Sequence, residues 1–231
     1  MRVAIIQPNY IPWKGYFDII HDVDVFVFLD DVQYTVRDWR NRNKIKTRDG
    51  QTTWLTVPTL GGRNQPILSV EIDEAQPWRR KHLDALRHAY GRTPHFERYF
   101  AGLSATLAEP WKLLVDLDIA LTKQICGWLG CERRCERSST LAPSGAKDDR
   151  LIDLVQKVGG SFYLSGPAAR DYIRPERFAE SNIELAYHDY AGYPEYPQIS
   201  APFDHFVSVL DLLFAVGDAA PDYIWGAKRA R

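Results

Sequence analysis

Cysteine is scarce in this sequence: Cys126, Cys131 and Cys135 are the only three. An odd count argues against a disulfide framework and fits a reducing compartment. They stand in CGWLGCERRC, a C-x4-C-x3-C spacing. A structural zinc site or an iron–sulfur cluster needs a fourth ligand, and no fourth cysteine exists. The thiols therefore read as buried or incidental groups at a helix end. Long apolar runs are also missing; none approaches the roughly 18 residues of a spanning helix. The opening MRVAII is too short for the apolar region of a secretory leader. The expectation is a cytoplasmic protein without a transmembrane segment, still able to dock on a membrane surface. An excess of charge of one sign is absent too, with 29 Lys and Arg against 30 Asp and Glu and a net charge of -1. A general nucleic-acid binder is usually basic, so no nucleic-acid partner is expected and any cationic site must be local.

Familiar catalytic signatures are likewise lacking. There is no G-x-S-x-G elbow, no P-loop and no dinucleotide fingerprint. The histidines, at 21, 82, 88, 95, 188 and 205, include no i, i+4 pair of the kind that binds metal. No metal set is assigned, and no cofactor is named.

What is present is an alternation of strand and helix signals. RVAIIQP reads as a strand stopped by Pro8, and GYFDIIHDV as a helix. In DVFVFLDD, Val25, Val27 and Leu29 alternate with Phe26 and Phe28, so both faces are apolar, as in a parallel strand covered on both sides. These three pieces make a βαβ unit. Asp49-Gly50 between two β-rich runs predicts a hairpin. It interrupts the α/β pattern at about residues 40–58 and reads as an insertion or flap. PILSVEID alternates like a strand. A helical segment spans about 77–128, broken at Thr93-Pro94 and Glu109-Pro110. ERSSTL reads as a strand, DDRLIDLVQKVGG as a helix, SFYLSG as a strand, RPERFAESN as a short helix and IELAYHDY as a strand. SVLDLLFAVG is a last helix, with Ser208 and Asp211 as a capping box. The fold class expected is α/β, a mainly parallel central sheet in one domain over residues 1–231.

Four constellations can carry chemistry. Arg40, Arg42, Lys44, Lys46 and Arg48 fall on every second residue, and on a strand they share one face. They are either a solvated face or a partner for a phosphate-bearing ligand. Asp30-Asp31-Val32-Gln33-Tyr34 follows the second strand, where α/β proteins collect ligands. Either carboxylate can orient a hydroxyl or a metal ion, or can pair with the arginines. In QPNYIPWKGYFDII, Gln7 and Pro8 end the first strand and Gly15 opens a helix whose N-terminus can face a phosphate. Lys14 beside it is a candidate catalytic or phosphate-binding lysine. Near the C-terminus, Ser165-Gly166 ends a strand, and Tyr187, Tyr190, Tyr193 and Tyr196 with Gln198 make an aromatic loop able to stack on a ring or to pack.

QPNYIPWKGYFDII, DVFVFLDDVQYTVRDWRNRNKIK, TWLTVP, YLSG, YPQ and SVLDLLFAVG, in that order, resemble the WbqC-like family of bacterial proteins. The family's motif positions fall on Gln7, Pro8, Tyr10, Pro12, Trp13, Gly15, Tyr16, Asp30, Asp31, Gln33, Tyr34, Asn41, Arg42, Asn43, Ile45 and Lys46. The resemblance implies a step on a nucleotide-linked sugar in O-antigen or other surface polysaccharide biosynthesis, by a transferase binding a phosphate-bearing small molecule. IIQPNYIPWKGYFDII also resembles the opening of HIGH-superfamily nucleotidylyltransferases. Tyr16 stands where those enzymes carry their signature histidine, so nucleotidyl transfer is the alternative, and a non-enzymatic scaffold is a third. The expected catalytic residues are Asp30, Asp31, Lys14 and Tyr16. Expected at the ligand are Gln7, Pro8, Tyr10, Trp13, Gly15, Gln33, Tyr34, Arg40, Asn41, Arg42, Lys44, Lys46, Ser165, Gly166, Tyr196 and Gln198.

Overall fold

The structure is a computed structural model and describes residues 1–226. In chain order the elements are β1 (Arg2–Ile6), α1 (Lys14–His21), β2 (Val25–Phe28), β3 (Arg42–Lys46), β4 (Thr52–Thr56), α2 (Trp78–Tyr90), α3 (Phe96–Ala108) and α4 (Leu114–Leu129). They continue with β5 (Arg134–Arg137), α5 (Ser138–Leu141), α6 (Asp148–Lys157), β6 (Phe162–Ser165), α7 (Pro175–Glu180), β7 (Glu184–Tyr187) and α8 (Val209–Val216). Five strands form one sheet in the order β5-β2-β1-β6-β7, with every neighbouring pair parallel.

The two-faced apolar pattern of β2 has the consequence it predicts. Ala4, Phe26 and Phe28 join the core under α1, α4 and α8, with Ile20, Leu121 and Leu213. Val3, Ile5, Val25 and Val27 join a second core with Val155 of α6 and Phe178 of α7. Helices therefore cover both faces of the sheet. From β1 the chain steps outward through β2 to β5, then returns to the other side of β1 for β6 and β7. Between β1 and β6 the winding reverses. In open α/β sheets a crevice opens at the carboxyl ends of the two strands flanking such a reversal.

The Asp49-Gly50 hairpin is present as β3 and β4, antiparallel, pairing Arg42 with Thr56 and Lys46 with Thr52. It is not a free flap. Ile45, Leu55 and Val57 are core residues. Ser208 N donates to Lys44 O at 2.9 Å, and Lys46 N donates to the Tyr90 hydroxyl at 2.9 Å. Gly50, at φ +86°, sits where a β-carbon would lie 2.5 Å from the Ala201 carbonyl oxygen. Glycine is required there for both reasons.

Three local expectations are corrected. PILSVEID is not a strand: Ile67–Ser69 makes a 3-10 turn after Pro66, and only single bridges, Thr59 with Ile72 and Glu71 with Leu113, tie the remainder. ERSSTL divides, because β5 ends at Arg137 and Ser138 starts a helix. Its hydroxyl and the following Ser139 backbone N–H are drawn to Asp30. Ser208 caps α8 by accepting from Leu210 N at 3.3 Å, while Asp211 faces Tyr196 and Gln198 instead of closing a capping box. Among the described residues no helix is long and apolar enough to cross a membrane.

Candidate functional site

The crevice at the β1/β6 reversal has a volume of about 560 Å³, within the usual size of a small-molecule site. Its floor is the end of β1 (Ile5, Ile6, Gln7) and of β6 (Tyr163, Ser165, Gly166). Arg40 enters from the loop before β3, and Lys147 and Arg150 from the start of α6. Tyr172 and Tyr190 complete the walls. Three cations thus line the space, and no carboxylate among the described residues does.

Each cation is held differently. Arg150 pairs with Asp31. Arg40 donates to the Asn9 side-chain oxygen at 2.5 Å and lies 3.4 Å from Asp38. Burial pulls the Arg40 pKa down, yet arginine remains charged in proteins. Lys147 has no ion pair among the described residues, and its φ is +52°. A non-glycine residue held in that region is strained, and such strain collects at functional sites. The Nε atoms of Arg40 and Arg150 and the Gln7 Oε1 are buried without hydrogen-bond partners among the described residues. Buried polar groups are normally satisfied. All three atoms lie beneath the crevice surface, so they leave unmet polarity in its wall without themselves facing the space.

Of the residues expected at a ligand, Gln7, Arg40, Ser165 and Gly166 line this crevice, and Tyr190 of the aromatic loop joins them. The sequence reading missed Lys147 and Arg150, which lie more than a hundred residues along the chain. Their only signal was position, since the helix that crosses back toward β6 must start above the reversal.

The other candidates lie elsewhere. Asp30 is completely buried, and its oxygens are taken by Arg137 Nε at 2.6 Å, Ser138 Oγ at 3.0 Å, Ser139 N at 2.9 Å and Ser139 Oγ at 2.8 Å. It fixes the β5–α5 corner and is closed to a substrate. Asp31 accepts from Ser138 Oγ at 2.6 Å and acts on the crevice only through Arg150. Lys14 is 1% exposed, with Nζ 4.9 Å from the Tyr193 ring centre, 5.1 Å from that of Tyr196 and 5.8 Å from that of Phe203. Burial lowers its pKa to about 8, against the pull of Asp211 and Asp18. Tyr16 is buried and donates to Gln7 O at 3.1 Å. Gly15 does not open a helix end to a ligand, because the Trp13 indole occupies the space beside it.

Several motif residues are structural clamps. Asn43 Nδ2 donates to the carbonyls of Tyr10 at 3.1 Å and Ile11 at 2.9 Å, and Asn41 Nδ2 donates to Val57 O at 3.0 Å. The Tyr10 hydroxyl meets His82 Nδ1 at 2.9 Å, Tyr34 is buried near Thr59, and Pro8 is buried. Gln33 Nε2 donates to Arg63 O at 2.8 Å on the surface. The basic stripe does not make one cationic face. Arg42 and Lys44 stack over Trp54, at 4.1 and 5.4 Å from its ring centre. Lys46 is buried with Nζ on the Pro202 and Gly50 carbonyls, and Arg48 Nε reaches Ala89 O at 3.2 Å. The strand covers only 42–46, so Arg40 and Arg48 fall outside its alternation. Tyr196 and Gln198 bind Asp211 at 2.7 and 2.9 Å and close on Lys14, away from the crevice.

Cys126 and Cys131 are buried free thiols at the end of α4 and Cys135, also free, lies in β5; burial raises the Cys135 thiol pKa, and a hydrogen bond with Cys131 plus burial raises that of Cys126. Asp18, Asp22 and His188 bring ligand atoms within 4.8 Å of one another. His188 bridges the two acids at 2.9 and 3.4 Å, and Tyr193 adds a bond to Asp18, which is the pattern of a hydrogen-bonded core cluster.

The model of the WbqC-like protein family matches residues 7–223. The chain belongs to the WbqC-like family. It is 41% identical over 225 residues to a Mycobacterium tuberculosis protein (strain ATCC 25618 / H37Rv), "Uncharacterized protein Rv1507c", covering 96% of this chain and 97% of that one. No solved structure matches. In this WbqC-like chain the family motif divides between clamps (Asn41, Asn43, Tyr10) and crevice (Gln7), with Trp13 and Gly15 packed on each other between them.

Proposed function

We propose that this WbqC-like protein is a transferase that binds a phosphate-bearing small molecule in the β1/β6 crevice. The observation that carries the reading is that, among the described residues, three cations and no carboxylate line that crevice. Guanidinium groups hold phosphate oxygens through paired hydrogen bonds. Stabilising a departing phosphate by fixed cations is a recognised source of rate. Arg40, Lys147 and Arg150 would hold the anion, while the Gln7 side chain and the Ser165 hydroxyl would orient the transferred part. Tyr163, whose pKa burial raises, stays a protonated donor. No Asp, Glu, His or Cys lines the crevice among the described residues. The contribution read from these residues is positioning and charge. A nucleotide-linked sugar in surface polysaccharide or O-antigen biosynthesis is the substrate the family resemblance favours.

The alternative of nucleotidyl transfer draws on the doubly wound sheet, but Tyr16 is tied to the Gln7 carbonyl and offers no cation to a transferring phosphate. The scaffold reading draws on the exposed Trp54 with Arg42 and Lys44. A thermal-shift screen of pyrophosphate, nucleotides, nucleotide sugars and acyl or aminoacyl donors tests the main reading. Stabilisation by phosphate ligands, weakened in Arg150→Gln, is expected. If no phosphate-bearing compound stabilises the protein, the reading falls.

A further inference from the structure

A second cleft lies beside the crevice. Its volume is about 240 Å³, and it is lined by Trp13, Trp39, Phe206, Pro12, Asn9 and Asn43. Trp39 and Phe206 are 39% and 61% exposed, unusual for rings of that size. Trp13 and Phe206 have ring centres 5.5 Å apart and tilt by 38°. The aromatic surface continues outward, with Trp39 and Trp54 at 5.5 Å.

This wall is built at a cost. Ile11, just before Pro12, has φ +35°, an outlier for a β-branched residue. The Asn43 amide grips the carbonyls on both sides of that bend. The bend delivers Pro12 and Trp13 to the cleft, and strain kept at such a place points to a site.

Cleft and crevice share two partitions. Asn9 lines the cleft, and its side-chain oxygen holds Arg40, which lines the crevice. Trp13 lines the cleft and packs edge-on, at 5.1 Å, against Tyr190, which lines the crevice.

We propose that the cleft is a second binding site, taking the ring of an uncharged saccharide. No charged residue lines it. A sugar presents an apolar C–H face that packs on aromatic carbon and hydroxyls that need amide partners, here the Asn9 side chain. The tilted, closely spaced Trp13 and Phe206 form one oblique floor. They do not form the parallel pair of walls that would sandwich a flat base. The proposal stands on the cleft alone; it rests on the crevice reading only in placing two reactants side by side.

The test is to follow tryptophan indole resonances and fluorescence of the full chain with neutral mono- and disaccharides, and with adenosine as the flat-ring probe. Saccharides should perturb indole signals with saturation, adenosine should not, and Trp39→Ala and Phe206→Ala should each weaken the response about three- to tenfold. Circular dichroism confirms that both variants fold. The proposal is overturned if no saccharide saturates, if adenosine alone does, or if both folded variants bind as well as the parent. Pyrophosphate binding to the parent, measured in parallel, separates this failure from failure of the crevice reading.

Discussion

The Trp13 indole lies so close over Gly15 that a β-carbon on Gly15 would come within 2.3 Å of the ring atom Cζ2. The glycine exists for its own chain's tryptophan. Alanine would gain up to about 1 kcal/mol in helix propensity, but overpacking costs roughly 1–3 kcal/mol. Gly15→Ala should therefore lower stability in urea denaturation. In the Trp13→Ala background the clash is gone, and the same substitution should become neutral or stabilising. A double-mutant cycle measures the sign change; equal effects in both backgrounds would refute the packing account.

How much of this was legible in the residues depends on distance along the chain. The VFVF run of β2 announced a strand covered on both faces, and Asp49-Gly50 announced the hairpin, because both signals are local. Strand order is not local: nothing near Phe162 says that β6 pairs with β1. The crevice follows from that order, so Lys147 and Arg150 were invisible beside Gln7. The stripe Arg40, Arg42, Lys44, Lys46 and Arg48 suggests one side of a strand, but the strand holds only Arg42, Lys44 and Lys46. Their surroundings were not readable, since Trp54 comes from the partner strand and the Pro202 carbonyl from the far end of the chain. Asp30 illustrates the same gap: strand-end position was right, but Arg137, Ser138 and Ser139 consume it.

Arg150 should matter to ligand and little to fold. Its pair with Asp31 is partly exposed, at 23% and 13% for the two side chains, and such pairs contribute modestly. Arg150→Gln keeps a polar side chain, shortens it and removes the charge. Calorimetry with pyrophosphate should show affinity falling about tenfold, corresponding to roughly 1.4 kcal/mol, with a urea midpoint close to the parent's. Unchanged affinity would remove Arg150 from the site.

Lys14 should give the protein an alkaline signature. Burial in the Tyr193–Tyr196–Phe203 cage lowers its pKa from 10.5 to about 8. Between those values the unfolded chain keeps a proton that the folded chain has released. Stability from this group is therefore fully present above the unfolded pKa and is lost as pH falls through the folded one. The parent should gain stability relative to Lys14→Met as pH rises from about 8 toward 10.5. Urea unfolding of both proteins across that range provides the difference; parallel curves would mean that Lys14 titrates normally.

Asp118 carries the opposite sign. It is 1% exposed on α4, and neither carboxylate oxygen has a hydrogen-bond partner among the described residues. Burial raises its pKa well above 3.8, and the opposing field of Arg40 does not offset that. The folded chain thus holds a proton that the unfolded chain gives up. The stability tied to that proton is complete below the unfolded pKa and declines as pH rises through the window above it. Asp118→Asn keeps the shape and removes the titration. At neutral pH the variant should be more stable by about 1–3 kcal/mol, because the parent must take up a proton on folding at a pH well above the unfolded pKa, and the gain should shrink as pH is lowered toward 3.8. Chemical denaturation of parent and variant at several pH values decides the matter. A variant less stable than the parent at neutral pH would mean that the carboxyl has a partner which matters more than its desolvation.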